Sequence, residues 1–165
     1  MENKKILGFL PFNDETAVGV DFKYKQEDEE ILNFFKNKAL KCQREHVSRC
    51  FELKESEGIV GYLALSLCSI NARKLKNPKN IGLFERPAIR IGQLIIDETK
   101  RGQGYGKCAI NFVISIVRMM KWYLPCRLLV VDALNEKAQT FYEKAGFQMM
   151  EDRTLVFDLA PMLKQ

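Results

Sequence analysis

Apolar and polar positions along the chain fall into two rhythms. In "DEEILNFFKNKALKCQRE" apolar residues stand at 31, 32, 34, 35, 39 and 40, behind the acidic run Glu27 to Glu30. That spacing predicts one helix over 28–45, with a single apolar face and a dipole complemented by the acids. "VSRCFELKE" and "GIVGYLALSLCSI" then read as two strands joined by a turn at "SEG". The polar stretch "NARKLKNPKNIGLFERP" has prolines, glycines and little periodicity, and reads as a long loop. "AIRIGQLIID" is a strand with a glycine, Gly92, in its middle, where a bulge or a close backbone approach is expected.

From about Gly104 to Lys121 the chain is apolar on more than one side, as a helix packed on a sheet would be, and Trp122 to Pro125 closes it. "CRLLVVDA" is a short, continuously apolar strand. "NEKAQTFYEKAG" predicts a helix with Asn135 as N-cap and Gly146 as its stop. "FQMM" and "TLVFDLA" supply two last strands. The class is mixed α/β, around a strand, turn, helix, strand, helix unit.

Composition narrows the function classes. A chain of 165 residues, 47% hydrophobic and 28% charged, suits one soluble domain over 1–165. It has no apolar run of about eighteen residues, and "MENKKILGFLPFND" lacks the features of a signal peptide, so a cytoplasmic location is expected. Five scattered cysteines without a C-x-x-C read as reduced thiols. The single histidine, His46, argues against a zinc site or a histidine-based hydrolase, and no metal is expected. The net charge of +5 is concentrated in two segments. Lys36, Lys38, Lys41, Arg44 and Arg49 face only Glu45 in the first; Arg73, Lys74, Lys76, Lys79, Arg86 and Arg90 face only Glu85 in the second. Either is a solvated surface or a face for a polyanion such as RNA.

The candidate chemistry lies in "TKRGQGYGKCA", where Gly102, Gly104 and Gly106 alternate between an apolar strand and an apolar helix. A glycine-rich turn that opens a helix aims unpaired N–H groups and the positive end of the dipole at one point, which suits a phosphate. Glycine permits both positive φ and the approach of a ligand where a Cβ would stand. Arg101 and Lys107 add mobile positive charge at either end. The Walker loop fails here, because Arg101 takes the place of its first glycine and Cys108 that of its hydroxyl; the dinucleotide fingerprint fails at Lys107.

What remains, R-x-x-G-x-G from Arg101 to Gly106, resembles the pyrophosphate motif of the GNAT superfamily of acetyl-CoA-dependent N-acetyltransferases. "LNEKAQTFYEKAGF" resembles the second signature of that family, with Asn135, Ala138, Phe141, Tyr142, Gly146 and Phe147 at matching positions. The element order is similar from about Val47 onward. The resemblance implies a GNAT fold: a mixed, mostly antiparallel sheet of about six to seven strands, splayed at the cofactor slot and flanked by about four helices. It implies acetyl-CoA as cosubstrate, with Gln93, Leu94, Ile95 and Ile96 along the pantetheine and Gly92 at the bulge. Arg101, Gly102, Gln103, Gly104, Tyr105, Gly106 and Lys107 would hold the diphosphate, and Asn135, Ala138, Phe141 and Lys144 would complete the cofactor side. A backbone amide of the same strand would polarise the thioester carbonyl, and the amine would attack directly.

Tyr142 stands where the family carries the proton donor for the departing thiolate. The family's frequent glutamate base has no counterpart in "PAIRIGQLII", and Asp97 and Glu98 lie toward the pyrophosphate end. Either Glu52 or another residue of a neighbouring strand acts, or the amine arrives neutral, as an α-amine at about 7.7 to 8.0 does more readily than a lysine at about 10.4. A narrower resemblance, to the GNAT toxins of toxin–antitoxin modules, rests on "KNKALKCQRE", "GYLALS", "IGQLIID", "RGQGYGK" and "FYEKAGF". Those toxins acetylate the α-amine of aminoacyl-tRNA, so the resemblance implies charged tRNA and an antitoxin as candidate partners, and a homodimer stays open. The extreme N-terminus has no match, and Asp132 puts a negative charge near the second motif. The competing readings are acetylation of a small-molecule amine or a protein N-terminus, and a non-catalytic CoA- or RNA-binding module.

Overall fold

The computed structural model describes residues 7–16, 18–75 and 84–163. Its elements are β1 (Gly8–Pro11), α1 (Glu29–Asn37), α2 (Ala39–Arg44), β2 (Arg49–Glu55), β3 (Gly58–Asn71) and β4 (Glu85–Ile96). They continue with α3 (Tyr105–Met120), β5 (Leu128–Asp132), α4 (Glu136–Lys144), β6 (Gln148–Glu151), β7 (Thr154–Asp158) and α5 (Ala160–Leu163). The strands form one sheet of seven in the order β1-β2-β3-β4-β5-β7-β6. The pairs β1–β2, β2–β3, β5–β7 and β6–β7 are antiparallel and β4–β5 is parallel, with α3 as the crossover. This is the mixed α/β class and the open mixed sheet that the motifs imply.

Contacts divide the chain into two units: residues up to Leu65 with Gln93–Ile110, and Ser66–Gly92 with Asn111 onward. The first is organised by Tyr62, whose ring lies 5.2 Å from those of both Phe22 and Phe35. Leu32, Ala39, Cys50, Ala64 and Ile95 complete that core. The second unit is built on β5, whose Leu128, Leu129, Val130 and Val131 are all buried, as a strand covered on both faces requires. Ile70, Ala72, Ala88 and Val156 pack with Leu128 and Val130 on one of those faces.

Several sequence expectations are corrected. The predicted helix over 28–45 is two, broken at Lys38, where φ is −124°. Asn37, a weak interior helix former, precedes the break. Glu29 and Glu30 occupy the first turn of α1, but Asp28 makes no side-chain cap and turns to Arg101 instead. β4 begins at Glu85 rather than Ala88, and Glu85 accepts a hydrogen bond from the Ser69 hydroxyl at 2.6 Å. Within the predicted loop, Ala72–Lys74 form a 3₁₀ turn and Glu85–Pro87 belong to β4; residues 76–83, with Lys76 and Lys79, lie outside the described residues. β1 is a strand that the periodicity missed, an edge strand ending at Pro11. Ala160, read as the end of the last strand, opens the short helix α5.

Candidate acetyl-CoA site

The first unit supplies the glycine turn. Gly102 has φ +75° and Gly104 φ +90°, and a Cβ built on either meets nothing within 4 Å. These glycines are therefore required by backbone conformation, in a turn whose surface stays bare. Gly106 differs from the expectation: it lies inside α3 and has no positive φ, so only its missing side chain distinguishes it. The first intrahelical bond is Cys108 N–H to Gly104 C=O at 3.0 Å, so the amides of Tyr105, Gly106 and Lys107 have no acceptor within the helix. They open a helix of 16 residues, at its positive end. This arrangement fits a diphosphate.

The side chains around the turn are less free than their sequence suggested. Lys107 is exposed and has no ion pair among the described residues. Arg101 is already engaged: its Nη2 donates to Asp28 Oδ2 at 2.6 Å and its Nε to the Ile96 carbonyl at 3.3 Å. Gln103 folds back, Nε2 donating to Thr99 C=O at 3.2 Å. Tyr105 is buried, and its hydroxyl donates to Glu55 Oε1. Burial first, and the Glu55 carboxylate second, push that phenol up to about 12. Only the backbone of Tyr105 is left for a ligand. Lys100 Nζ lies 3.3 Å from Glu57 Oε2 and 3.9 Å from Glu55 Oε2.

Asp97 is 6% exposed and accepts from Thr99 N–H at 2.9 Å, Thr99 Oγ1 at 2.6 Å and Lys23 N–H at 2.8 Å. Burial pushes its carboxyl up, but these bonds outweigh that and hold it below the usual carboxylate range. Asp97 is thus fully used in holding the chain. Glu98 lies 3.8 Å from Lys25. Glu52 sits on β2 in register with Tyr62, half-buried, and its charge helps burial hold that phenol at about 12.

On β4, the parallel pairing with β5 covers Ala88 to Ile91 and stops there, while the strand itself runs on to Ile96. Gly92, exposed and without positive φ, is the first residue past that register. Gln93, Leu94 and Ile96 are half-buried, whereas the Ile95 side chain belongs to the aromatic core and leaves only its main chain for a ligand. A Cβ on Gly61 would come within 2.6 Å of the Ile95 carbonyl oxygen, so glycine is needed where the strands approach.

The second unit supplies α4. Asn135 is its N-cap, with an extended backbone and Oδ1 accepting Ala138 N–H at 2.9 Å. At the other end Gly146, φ +101°, stops the helix, and Phe147 N–H returns to Tyr142 C=O at 3.0 Å. Tyr142 is buried between Phe141 and Phe147, at ring distances of 5.0 and 5.3 Å. Its hydroxyl has no hydrogen-bond partner among the described residues, and burial pushes its pKa well above the ordinary phenol value. Lys144 is exposed on the same helix.

Four cations of the basic segments are matched by acids. Lys74 meets Glu151 at 2.6 Å, Arg90 pairs with Asp132, Lys41 lies 3.9 Å from Glu45 and Arg44 pairs with Asp14. Lys38, Arg49 and Arg73 are exposed without an ion pair among the described residues. No group of three or more His, Cys, Asp or Glu that could hold a metal occurs among those residues, and no helix there is long and apolar enough to cross a membrane.

Sequence reasoning missed Asp28, Glu55 and the structural use of Asp97. Asp97 followed by Thr99 is a local turn signal that was available. Asp28 and Glu55 reach partners 73 and 50 residues away, a relation no local pattern carries.

Comparison with known proteins agrees with this geometry. A family model described as acetyltransferase (GNAT) domain matches residues 46–149. Among solved structures, AtaT complexed with acetyl-methionyl-tRNAfMet is similar with TM-score 0.82 and 22% identity, over 96% of each chain. A tyrosine-to-phenylalanine mutant of KacT is similar with TM-score 0.85 and 23% identity, over 96% of this chain and 98% of that one. AtaTR bound with AcCoA matches with TM-score 0.77 and 24% identity, over 96% of each chain. At such identities the structural likeness speaks for the fold, and the family model speaks for the chemistry. The chain belongs to the GNAT family and is an acyltransferase, whose cosubstrate is acetyl-CoA.

Proposed function

We propose that the chain transfers an acetyl group from acetyl-CoA to a primary amine by direct attack, and that the amine is the α-amino group of an aminoacyl-tRNA. The observation that carries acetyl-CoA binding is the bare turn: two positive-φ glycines with open space, ahead of three helix-opening amides. Acetyl-CoA supplies the activated thioester. Amides 102–107 and Lys107 bind its diphosphate, and the backbone of 93–96 orients the pantetheine and polarises the carbonyl. This reading treats residues 1–165 as one acetyltransferase domain, since both motifs serve one cosubstrate.

Tyr142 is the catalytic residue of this reading. An ordinary phenol at about 10 is a weaker acid than an ordinary thiol at about 8.5, so outright proton transfer to the thiolate is uphill by roughly 2 kcal/mol. Burial of Tyr142 raises that cost further. The unpartnered hydroxyl therefore donates a hydrogen bond to the sulfur as charge develops there, and the proton released by the acylated amine ends on the thiol. With Asp97 used up in the turn, either Glu52 on β2 takes the amine proton or the acceptor amine is already partly neutral, which suits an α-amine.

Two further observations support the tRNA acceptor: AtaT, a similar protein, was solved with acetyl-methionyl-tRNAfMet, and Lys38, Arg49 and Arg73 are exposed without an acid partner among the described residues. The same reading carries a cytosolic location and an antitoxin partner. A second reading, a small-molecule amine or a protein N-terminus, is favoured by the Lys74–Glu151 and Arg90–Asp132 pairs, which neutralise cations that RNA would use. An acceptor screen with labelled acetyl-CoA, charged tRNA, amino acids, polyamines and peptides separates them. Label on charged tRNA, falling as salt rises, is the expected result. Label on small amines alone rejects the tRNA acceptor.

A further inference from the structure

The turn that we read as the diphosphate site is fastened to the chain that enters α1. Asp97 Oδ2 accepts Lys23 N–H at 2.8 Å, and Lys23 C=O accepts Glu98 N–H at 2.8 Å. Lys25 Nζ stands 3.8 Å from Glu98 Oε1, and Asp28 Oδ2 takes the Arg101 guanidinium at 2.6 Å. Residues 23–28 and 97–101 are thus clasped along their length, immediately before the glycines. Both carboxylates are nearly buried, Asp28 at 9% exposure and Asp97 at 6%. Charges so placed are costly unless matched, and among the described residues both are matched by groups of this clasp.

Asp28 stands at the N-cap position of α1, where an aspartate ordinarily accepts a backbone N–H, and it does not do so. Its carboxylate is spent on Arg101 instead. Arg101 has five N–H donors; one on Nη2 goes to Asp28 and the Nε one to Ile96 C=O, so Nη1 and the second Nη2 hydrogen are left for a ligand. The pair therefore orients the arginine without consuming it.

We propose that Asp28 and Asp97 are positioning residues for acetyl transfer, which fix the turn and Arg101 so that the diphosphate meets amides already aligned. The proposal rests on the reading of the turn as the diphosphate site. Removing either carboxylate leaves binding to supply an order that the free protein now holds. The opposite role, Asp28 as a competitor that the diphosphate must displace from Arg101, predicts the opposite sign.

Calorimetric titration with CoA and with pantetheine, which lacks the nucleotide diphosphate, decides between them. In Asp28→Asn the Kd for CoA rises about tenfold and that for pantetheine stays at the wild-type value. Kinetically KM for acetyl-CoA rises with it while kcat holds, and Asp28→Glu, which restores a carboxylate, recovers part of the loss. Thr99→Val, which removes one of the bonds to Asp97 while keeping every charge, shifts CoA affinity in the same direction by less. Tighter or unchanged CoA binding in Asp28→Asn, or an equal loss for both ligands, overturns the proposal. A wild-type protein that binds CoA no better than pantetheine overturns the diphosphate reading beneath it instead.

Discussion

The two motif-bearing regions are held in place by different means. The glycine turn of the first unit is fixed by side chains that arrive from far along the chain: Asp28 on Arg101, Glu55 on Tyr105 and the Lys23 backbone on Asp97. Helix α4 of the second unit is fixed by its own ends, with Asn135 capping Ala138 and Gly146 closing the last turn. The turn proposed to take the charged, flexible ligand is thus braced by nonlocal carboxylates. The helix that carries the proposed catalytic hydroxyl is braced by local caps and by two flanking rings.

The division has consequences that separate binding from chemistry. Tyr142→Phe removes the hydroxyl and keeps the ring packing; kcat should fall about a hundredfold, with Kd for acetyl-CoA unchanged. Stopped-flow release of CoA, beside a binding titration, checks both halves. Because the hydroxyl has no partner among the described residues, the melting temperature of the variant should not fall. An equal loss of binding and rate would mean that the two regions do not divide the work.

A smaller effect falls on the local brace. In Gly146→Ala the new methyl would stand 2.7 Å from the Phe157 ring, at φ +101°. The conformational penalty alone is about 1–2 kcal/mol, and ring displacement adds to it. Denaturant unfolding should show a loss of about that size or more. A neutral result would mean that α4 does not depend on its C-terminal stop.

Alkaline pH tests the nonlocal brace. Tyr62 and Tyr105 both have folded pKa values raised to about 12. A raised phenol contributes stability that is whole below its unfolded pKa of about 10 and is lost as pH climbs through the folded value. Stability should therefore fall between about pH 10 and 12, by at most about 1.4 kcal/mol per pH unit for each group. Tyr105→Phe should flatten that slope, and an unchanged slope would remove Tyr105 from the account.

The same contrast explains what the sequence made legible. The order of strand, turn, helix, strand and helix, the Asn135 cap and the Gly146 stop were readable because the cause of each lies within a few residues. "GQGYG" announced the turn, yet nothing near Arg101 revealed that a residue ahead of α1 would hold it. The inward turn of Tyr105 was equally hidden, because the polar residue beside a helix start looks like a ligand until its buried carboxylate is known. β1 escaped because four residues ending in a proline give too short a pattern. The break at Lys38 escaped because the apolar positions continue through it in helical spacing.

The central claim is that the main chain of the turn grasps the diphosphate of coenzyme A. A ¹⁵N–¹H titration with CoA tests it directly. The account predicts that the largest amide shifts fall on Gly102, Gly104, Tyr105, Gly106 and Lys107, moving downfield as they gain an anionic acceptor. Saturable binding of CoA that leaves those amides unmoved would contradict it.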